Sequence, residues 1–156
     1  TLYYYNPNIY PIQEYMKRVK EQEKLISEMK FVHPVLFRTG PYEPDEFFRI
    51  AKGLEKVPEG GERCFKCFDL RLREAAKVAS AGRYDYFTTT LTISPLKNAD
   101  KLNEIGEKLA KEYRVAFLPS DFKKKDGYKR SVQLSEDYGL YRQDYCGCIY
   151  SREAGK

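Results

Sequence analysis

The stretch LYYYNPN, from Leu2 to Asn8, decides the fold class because it joins a strand to a turn. Four consecutive apolar or aromatic residues, Leu2 to Tyr5, are typical of a parallel strand that is covered on both faces. The strand ends at the following Asn-Pro-Asn, since Pro7 has no N–H to donate to a neighbouring strand and asparagine favours turns. Apolar residues at helical spacing follow from about Pro11 to Lys30. The chain therefore opens as the first half of a βαβ unit.

The same alternation of strand and helix continues along the chain. Strands are predicted at 35–37, 84–87 and 115–118, and helices near 44–57, 67–82, 102–113 and 132–138. This alternation predicts a parallel sheet with helices on both faces. Polar side chains that follow such strands meet at one edge of the sheet, where substrates bind. The candidates are Asn6, Asn8, Thr88, Thr89, Thr90 and Ser94. The hydroxyl groups among them are equally suited to capping the next helix.

The length and composition of the chain fit one folded domain. It has 156 residues, of which 42% are hydrophobic, and a net charge of +5. No apolar run is long enough to cross a bilayer, and no signal-peptide pattern opens the sequence. Four cysteines are too few for a disulfide scaffold, so the reducing cytoplasm is the expected compartment. The modest positive charge permits a polyanionic partner without requiring one.

All four cysteines fall into two close pairs, Cys64 with Cys67 and Cys146 with Cys148. Such spacing suits sulfur that binds a metal or another sulfur. The first pair begins a predicted helix, where backbone amides favour the thiolate that binds metal. A structural zinc site and an iron–sulfur cluster both accept four thiolates, so spacing alone does not choose between them. In the second pair a disulfide closes a small strained ring, which is typical of a redox-active pair. The alternative is that these two thiols are further ligands of a shared site.

Other polar residues give weaker indications. Arg142 and Gln143 are candidates for substrate binding, unless the segment that carries them is simply exposed. The lysines at 123–125 fit a solvated loop, although together with Lys129 and Arg130 they are also suited to phosphates. The sequence contains no glycine-rich nucleotide-binding motif, so no nucleotide site is predicted.

Four segments spread along the chain are YNPNIYP (5–11), ERCFKC (62–67), TTTL with SP (88–91 and 94–95), and YRQDYCGC (141–148). Together, in this order, they resemble the non-cobalamin epoxyqueuosine reductase family. The resemblance implies an oxidoreductase that reduces the epoxide of epoxyqueuosine at the wobble position of tRNA, the last step in making queuosine. It also implies a nucleotide-hydrolase-like, or Rossmann-like, α/β domain, in agreement with the predicted elements.

The resemblance also implies roles for the cysteines. Cys64 and Cys67 match two ligands of a 4Fe-4S cluster, and Cys146 and Cys148 match a pair regarded as redox-active. For this activity we expect the two pairs to meet at one edge of the sheet. The implied partners are a tRNA with a queuosine-type wobble base and an electron donor that the sequence does not identify. An additional metal ion beside the cluster can polarise the epoxide oxygen, but the sequence does not assign its ligands.

One part of the family pattern is absent from this sequence. The family has an adjacent Cys-Cys after a first strand, and this pair supplies the other two cluster ligands. We expect residues 1–156 to form a single α/β iron–sulfur reductase domain that lacks its first strand and helix; otherwise the chain is inactive. Two other classes of function stay open. One is a zinc-stabilised RNA-binding module without turnover, and the other is a thiol–disulfide oxidoreductase that acts on proteins.

Overall fold

The computed structural model describes residues 1–154, which form helices and short strands in alternation. The helices are α1 Ile12–Glu28, α2 Pro44–Ala51, α3 Glu62–Ala81, α4 Ala99–Tyr113, α5 Gly127–Asp137 and α6 Ile149–Ala154. The strands are β1 Leu2–Tyr4, β2 Phe37–Thr39, β3 Tyr86–Phe87 and β4 Ala116–Phe117, and a 3₁₀ turn spans Thr90–Ile93. None of the described helices combines the length and the apolar character that a membrane span requires.

The strands pair in parallel, but in two separate sheets. β1 pairs with β2 with Leu2 opposite Phe37, and β3 pairs with β4 with Tyr86 opposite Ala116. The prediction of an α/β fold with parallel strands is confirmed. The single Rossmann-like sheet with helices on both faces is not confirmed. Within residues 1–154, strands of two or three residues each pair with one partner, so neither sheet exceeds two strands.

The chain divides into two compact units. Unit 1 combines Thr1–Arg49 with the described residues from Gln133 onward, and unit 2 is the continuous stretch Ile50–Val132. The two ends of the chain thus build one unit, and the middle builds the other. The prediction of one domain over residues 1–156 stays a prediction.

The core of unit 2 lies between two long helices and the β3–β4 sheet. α3 and α4 pack together, and Leu72, Leu102 and Leu109 in their shared core are almost fully buried. β4 approaches α4 closely at Gly106, where an added Cβ would lie 2.4 Å from the ring of Phe117. Glycine is therefore needed at this position for the sheet to pack against the helix.

The core of unit 1 is aromatic and joins α1 to the β1–β2 sheet. The ring of Tyr15 on α1 packs edge-on against Tyr4 of β1, with 5.4 Å between the ring centroids, and lies 4.5 Å from the ring of Tyr42. Burial raises the pKa of Tyr15. The hydroxyl of Tyr42 donates a 2.9 Å hydrogen bond to the carbonyl of Ile9. The loop that follows β1 is thereby fixed against the same core.

α3 begins earlier than the sequence predicts. It starts at Glu62, directly after its N-cap residue Gly61, instead of near Cys67. Because the apolar periodicity becomes regular only after Cys67, the first helical turn gives no periodic signal in the sequence. Both cysteines of the first pair consequently lie within the first two turns of α3.

Candidate functional site

The first cysteine pair lies on one side of α3. Residues three apart on a helix are neighbours, so the side chains of Cys64 and Cys67 extend from adjacent turns of the same face. Cys64 is half-buried and Cys67 is buried. The backbone N–H of Gly60 donates a hydrogen bond to the sulfur of Cys64 at 3.3 Å. In iron–sulfur proteins, hydrogen bonds to the ligand sulfurs are one of the factors that set the reduction potential of the cluster.

The donor set around this pair is incomplete for a four-ligand cluster. Within residues 1–154, no group of three or more His, Cys, Asp or Glu side chains is arranged to hold a metal ion. Cys64 and Cys67 therefore fit two ligand positions of a cluster or of a zinc site, and the described residues assign no others. The chemistry of the pair agrees with the predicted role, but the predicted cluster stays a prediction.

Arg63, next to Cys64, anchors the start of α3. Its side chain is only 3% exposed, and its Nη1 donates hydrogen bonds to the carbonyls of Leu54 at 2.8 Å, Glu55 at 2.9 Å and Val57 at 2.5 Å. A buried guanidinium in contact with three carbonyl oxygens holds the turn before α3 in place. Nothing in the sequence indicated this role, because arginine beside a cysteine on a charged helix is normally solvated.

The turn before α3 is also tied to the loop that carries the Ser94-Pro95 segment. The Nζ of Lys97 lies 2.5 Å from a carboxylate oxygen of Glu59, and the side chain of Lys97 is only 10% exposed. Both residues belong to unit 2. The ion pair thus links the turn before the ERCFKC segment to the turn after Ser94-Pro95.

The predicted hydroxyl candidates after β3 make local contacts. The hydroxyl of Thr88 donates a 2.7 Å hydrogen bond to the carbonyl of Leu118, while Thr89 accepts from the N–H of Leu91 and caps the 3₁₀ turn. The hydroxyl of Ser94 accepts from the N–H of Leu96. Capping applies to Thr89 alone among these three residues, and the N-cap residue of α4 is Asn98. Substrate binding by the three threonines at 88–90 and by Ser94 stays a prediction.

A buried hydroxyl pair in the same unit was not foreseen. Thr92 is fully buried, and its Oγ1 lies 3.0 Å from the Oγ of Ser120. The backbone of Ser120 is held in turn by the side-chain amide of Asn103, which both donates to its carbonyl and accepts from its N–H. The network fixes the loop after β4 to the loop after β3. The only indication in the sequence was that Thr92 lies two residues beyond the predicted threonines at 88–90.

The second cysteine pair lies in unit 1, at the start of α6. Cys148 is 6% exposed, and its carbonyl accepts hydrogen bonds from the N–H groups of Ser151 and Arg152. The backbone N–H groups of Tyr150 and Ser151 donate to its sulfur. Cys146 is half-buried, and all four cysteines of the chain are thiols. The hydrogen bond from Cys148 to the sulfur of Cys146 raises the pKa of Cys148, and burial raises it further.

Three consecutive carbonyls around this pair are held by side chains and backbone of unit 1. Arg18 of α1 donates to the carbonyl of Tyr145 at 3.1 Å and to the carbonyl of Cys146 at 3.2 Å. The N–H of Tyr10 donates to the carbonyl of Gly147 at 2.9 Å. The backbone that carries the two thiols is therefore fixed before and between them.

α1 holds more of the segment before the cysteines. The Nε of Arg18 lies 2.7 Å from Glu14, and both side chains are largely buried. The carboxylate of Glu14 accepts a hydrogen bond from the hydroxyl of Tyr141, whose N–H donates to Glu21. Lys24 donates to the carbonyls of residues 138 and 139. Sequence did not identify Glu14 and Arg18, because an acid and a base four residues apart normally mark a solvated helix face.

Asn8 is the predicted substrate residue that lies beside the second pair. It is 2% exposed, and its Nδ2 makes a long, 3.4 Å hydrogen bond to the carbonyl of Cys146. Its Oδ1 is buried without a hydrogen-bond partner among the described residues. Asn6 is also buried, whereas Arg142 and Gln143 are exposed, and Arg142 contacts the hydroxyl of Ser135. Substrate binding by these four residues stays a prediction.

Gly147 is needed for two separate reasons. Its φ is +101°, a backbone conformation that favours glycine, and an added Cβ would lie 2.6 Å from Cγ1 of Ile9. We expect Gly147→Ala to lower the free energy of unfolding by about 2–4 kcal/mol, from left-handed strain and crowding together. Urea unfolding measures this change.

Gly53→Ala is the matched control for this substitution. Gly53 also has a positive φ, +81°, but no atom lies within 4 Å of an added Cβ. Strain alone should cost about 1–2 kcal/mol there. Equal losses in the two variants would mean that the contact with Ile9 does not constrain the cysteine pair.

Comparison with known proteins places the whole described chain in one family. A family model described as "Epoxyqueuosine reductase QueH" matches residues 1–154. The protein of that name from Streptococcus pyogenes serotype M1 is 46% identical over 153 residues, which cover 97% of this chain and 60% of the relative. The one from Staphylococcus epidermidis is 45% identical over 97% of this chain and 65% of its own length. The one from Thermotoga maritima is 34% identical over 96% of this chain and 77% of its own length. The chain thus spans less than two thirds of the length of the first two relatives.

Proposed function

This chain belongs to the epoxyqueuosine reductase QueH family, and we propose that it carries out the reduction of epoxyqueuosine to queuosine at the wobble position of tRNA. The family predicted from the four sequence segments is thereby confirmed. Because the relatives are longer, the activity, the tRNA partner and the electron donor are proposals for this chain. The proposed place of action is the cytoplasm.

The docked Cys146-Gly147-Cys148 segment is the observation that carries the proposal. Converting an epoxide to an alkene and water consumes two electrons and two protons. Oxidation of two thiols to one disulfide releases the same two electrons and two protons, so a dithiol balances the reaction. The thiols of Cys146 and Cys148 already share a hydrogen bond. Arg18 and Tyr10 hold the backbone on which the pair is carried.

Cys64 and Cys67 are the proposed ligands of the cluster. Two sulfurs on one helix face and an N–H donor to one of them fit two positions of a 4Fe-4S site. A cluster held there would supply one-electron transfer, whereas the dithiol of the second pair exchanges electrons two at a time. The remaining ligands and the ligands of an additional metal ion are not assigned.

Residues of this chain have two further proposed tasks. Asn8 has a buried amide oxygen with no partner among residues 1–154, close to Cys146, and this oxygen can accept a hydrogen bond from the modified base. Basic residues at 123–125, with Lys129 and Arg130, are proposed to contact phosphates of the anticodon loop. Lys123 and Lys124 are ion-paired with Asp121, so they contribute less than their formal charge.

The proposal is tested by metal content after anaerobic purification of a full-length protein that contains this chain. We expect iron with brown absorbance, and we expect Cys64→Ser to remove most of both, since a cluster that loses a thiolate ligand becomes labile. Cys146→Ser is the matched control and should retain iron, because its sulfur is assigned to redox exchange. Zinc without colour would favour the RNA-binding module instead. Thiol exchange that is independent of any metal would favour the protein oxidoreductase.

A further inference from the structure

We propose that the two thiols of the second pair have different tasks: Cys146 exchanges with an external dithiol reductant, and Cys148 is the resolving thiol. The inference rests on the proposed function only in taking this pair as redox-active. It names the chemical class of the electron donor for the pair and the sulfur at which that donor reacts.

The first argument is access. A thiolate that attacks a disulfide must reach the far side of one sulfur in line with the S–S bond. Cys146 is half-buried, whereas Cys148 is 6% exposed. An external thiolate therefore reaches the sulfur of Cys146 more easily than that of Cys148.

The second argument is the leaving group. When Cys146 is attacked, Cys148 departs as a thiolate, and a stabilised thiolate departs faster. Burial disfavours a charge on Cys148, but the N–H groups of Tyr150 and Ser151 donate to its sulfur and offset part of that cost. Cys146 needs no such stabilisation, since its sulfur stays bound to the donor in the intermediate.

The third argument explains how Cys148 changes character during the cycle. In the dithiol, Cys148 donates its proton to the sulfur of Cys146, and this contact raises the pKa of Cys148. In the mixed disulfide, the sulfur of Cys146 is bonded to the donor, so this contact, the largest cause of the raised pKa, is lost. Burial still raises the pKa of Cys148, and the two N–H donors still lower it. Cys148 therefore holds its proton more firmly in the dithiol than in the mixed disulfide.

The exchange balances in two steps. A thiolate of the reductant forms an S–S bond with Cys146, the Cys146–Cys148 bond breaks, and its electron pair goes to Cys148, which then takes a proton. The second thiolate of the reductant attacks the reductant's own sulfur in the mixed disulfide, and Cys146 leaves as a thiolate. The reductant has lost two electrons and become a disulfide, and the pair is again a dithiol.

The backbone geometry keeps the two thiols unequal. Arg18 holds the carbonyl of Cys146, and the carbonyl of Cys148 is bound into the first turn of α6. The glycine between them has a φ of +101° and packs against Ile9. The backbone of Cys146 is therefore held by α1, and that of Cys148 by α6. The two thiols cannot take each other's place without breaking both sets of contacts.

The test uses the full-length protein and oxidised glutathione as the probe. Cys148→Ser leaves Cys146 as the single thiol of the pair, and Cys146→Ser leaves Cys148. We expect the glutathione adduct to form at least about tenfold faster in Cys148→Ser, measured by mass spectrometry of the peptide that contains residues 146–148. Equal rates, or a faster reaction in Cys146→Ser, would overturn the proposal.

Two further measurements separate the possible causes. In guanidinium chloride the two variants should react at similar rates, because the difference comes from the fold; a difference that persists in the unfolded chains would also overturn the proposal.

In the wild-type dithiol, limited iodoacetamide should modify Cys146 first. Adduct formation does not depend on tRNA, so a failure to reduce epoxyqueuosine would count against the proposed function and leave the order of the thiols measurable.

Discussion

Cys146→Ser is expected to lower the rate of epoxyqueuosine reduction by about 10³-fold or more, to the level without enzyme. Cys146 is proposed to form a covalent bond during turnover, and loss of such a group abolishes the reaction path, so the effect is far larger than that of losing a binding residue. The expectation follows from the hydrogen bond between the two thiols and from the exposure of Cys146. Nucleoside analysis of the modified tRNA after single-turnover and multiple-turnover reactions measures it.

The fold and the metal content serve as controls for this loss. Cys146 is half-buried, and serine is similar in size, so circular dichroism, unfolding and iron content should remain close to those of the unaltered protein. Cys148→Ser should show the same loss of turnover. If Cys146→Ser retains a rate within tenfold of the original, the pair has a structural role and the proposed electron path through it is wrong.

Arg63→Met is expected to lower the free energy of unfolding by about 3–5 kcal/mol. The substitution keeps an apolar side chain of similar length but removes the donor that contacts the carbonyls of Leu54, Glu55 and Val57. Three carbonyl oxygens then lose a charged partner in a position that is 3% exposed. Urea unfolding followed by circular dichroism measures the change.

Lys77→Met on the same helix is the matched control. Lys77 is about half exposed and its 3.6 Å ion pair with Glu74 is solvated, so its loss should change stability by less than about 0.5 kcal/mol. The turn before α3 also carries Gly60, the donor to Cys64, so Arg63→Met should lose iron on dilution as well. Unchanged stability together with unchanged iron would contradict the anchoring role of Arg63.

Local patterns in the sequence predicted the elements whose causes are local. The apolar spacing from Pro11 to Lys30 predicted α1, which spans Ile12–Glu28, and capping was weighed as the alternative role of the hydroxyls at 88–94. The second strand was predicted two residues too early, at 35–37. β2 lies at Phe37–Thr39, because its position depends on pairing with Leu2 and on contact between the rings of Tyr4 and Phe37. Those partners are more than thirty residues distant in sequence, so no local pattern reveals them.

The residues of the candidate site also fall into two groups, those that the sequence reveals and those that depend on distant partners. Paired cysteines are visible in any sequence, and the resemblance of the surrounding segments to a family suggested their roles. Arg18 and Glu14 acquire their importance from carbonyls and a hydroxyl that lie more than 120 residues away along the chain. Arg63 is similar, since its partners are carbonyl groups, which every residue carries and which no sequence pattern distinguishes.

One unit is built from the two ends of the chain and the other from its middle, and this division has a consequence for folding during synthesis. Ile50–Val132 is continuous and can collapse as soon as it leaves the ribosome, whereas unit 1 must wait until residues after Gln133 meet those before Arg49. Closing so long a loop is slow relative to local helix formation. Nascent chains therefore pass through an interval in which Cys146 and Cys148 have been synthesised but not yet docked on α1, and oxidants or chaperones can reach both sulfurs during that interval.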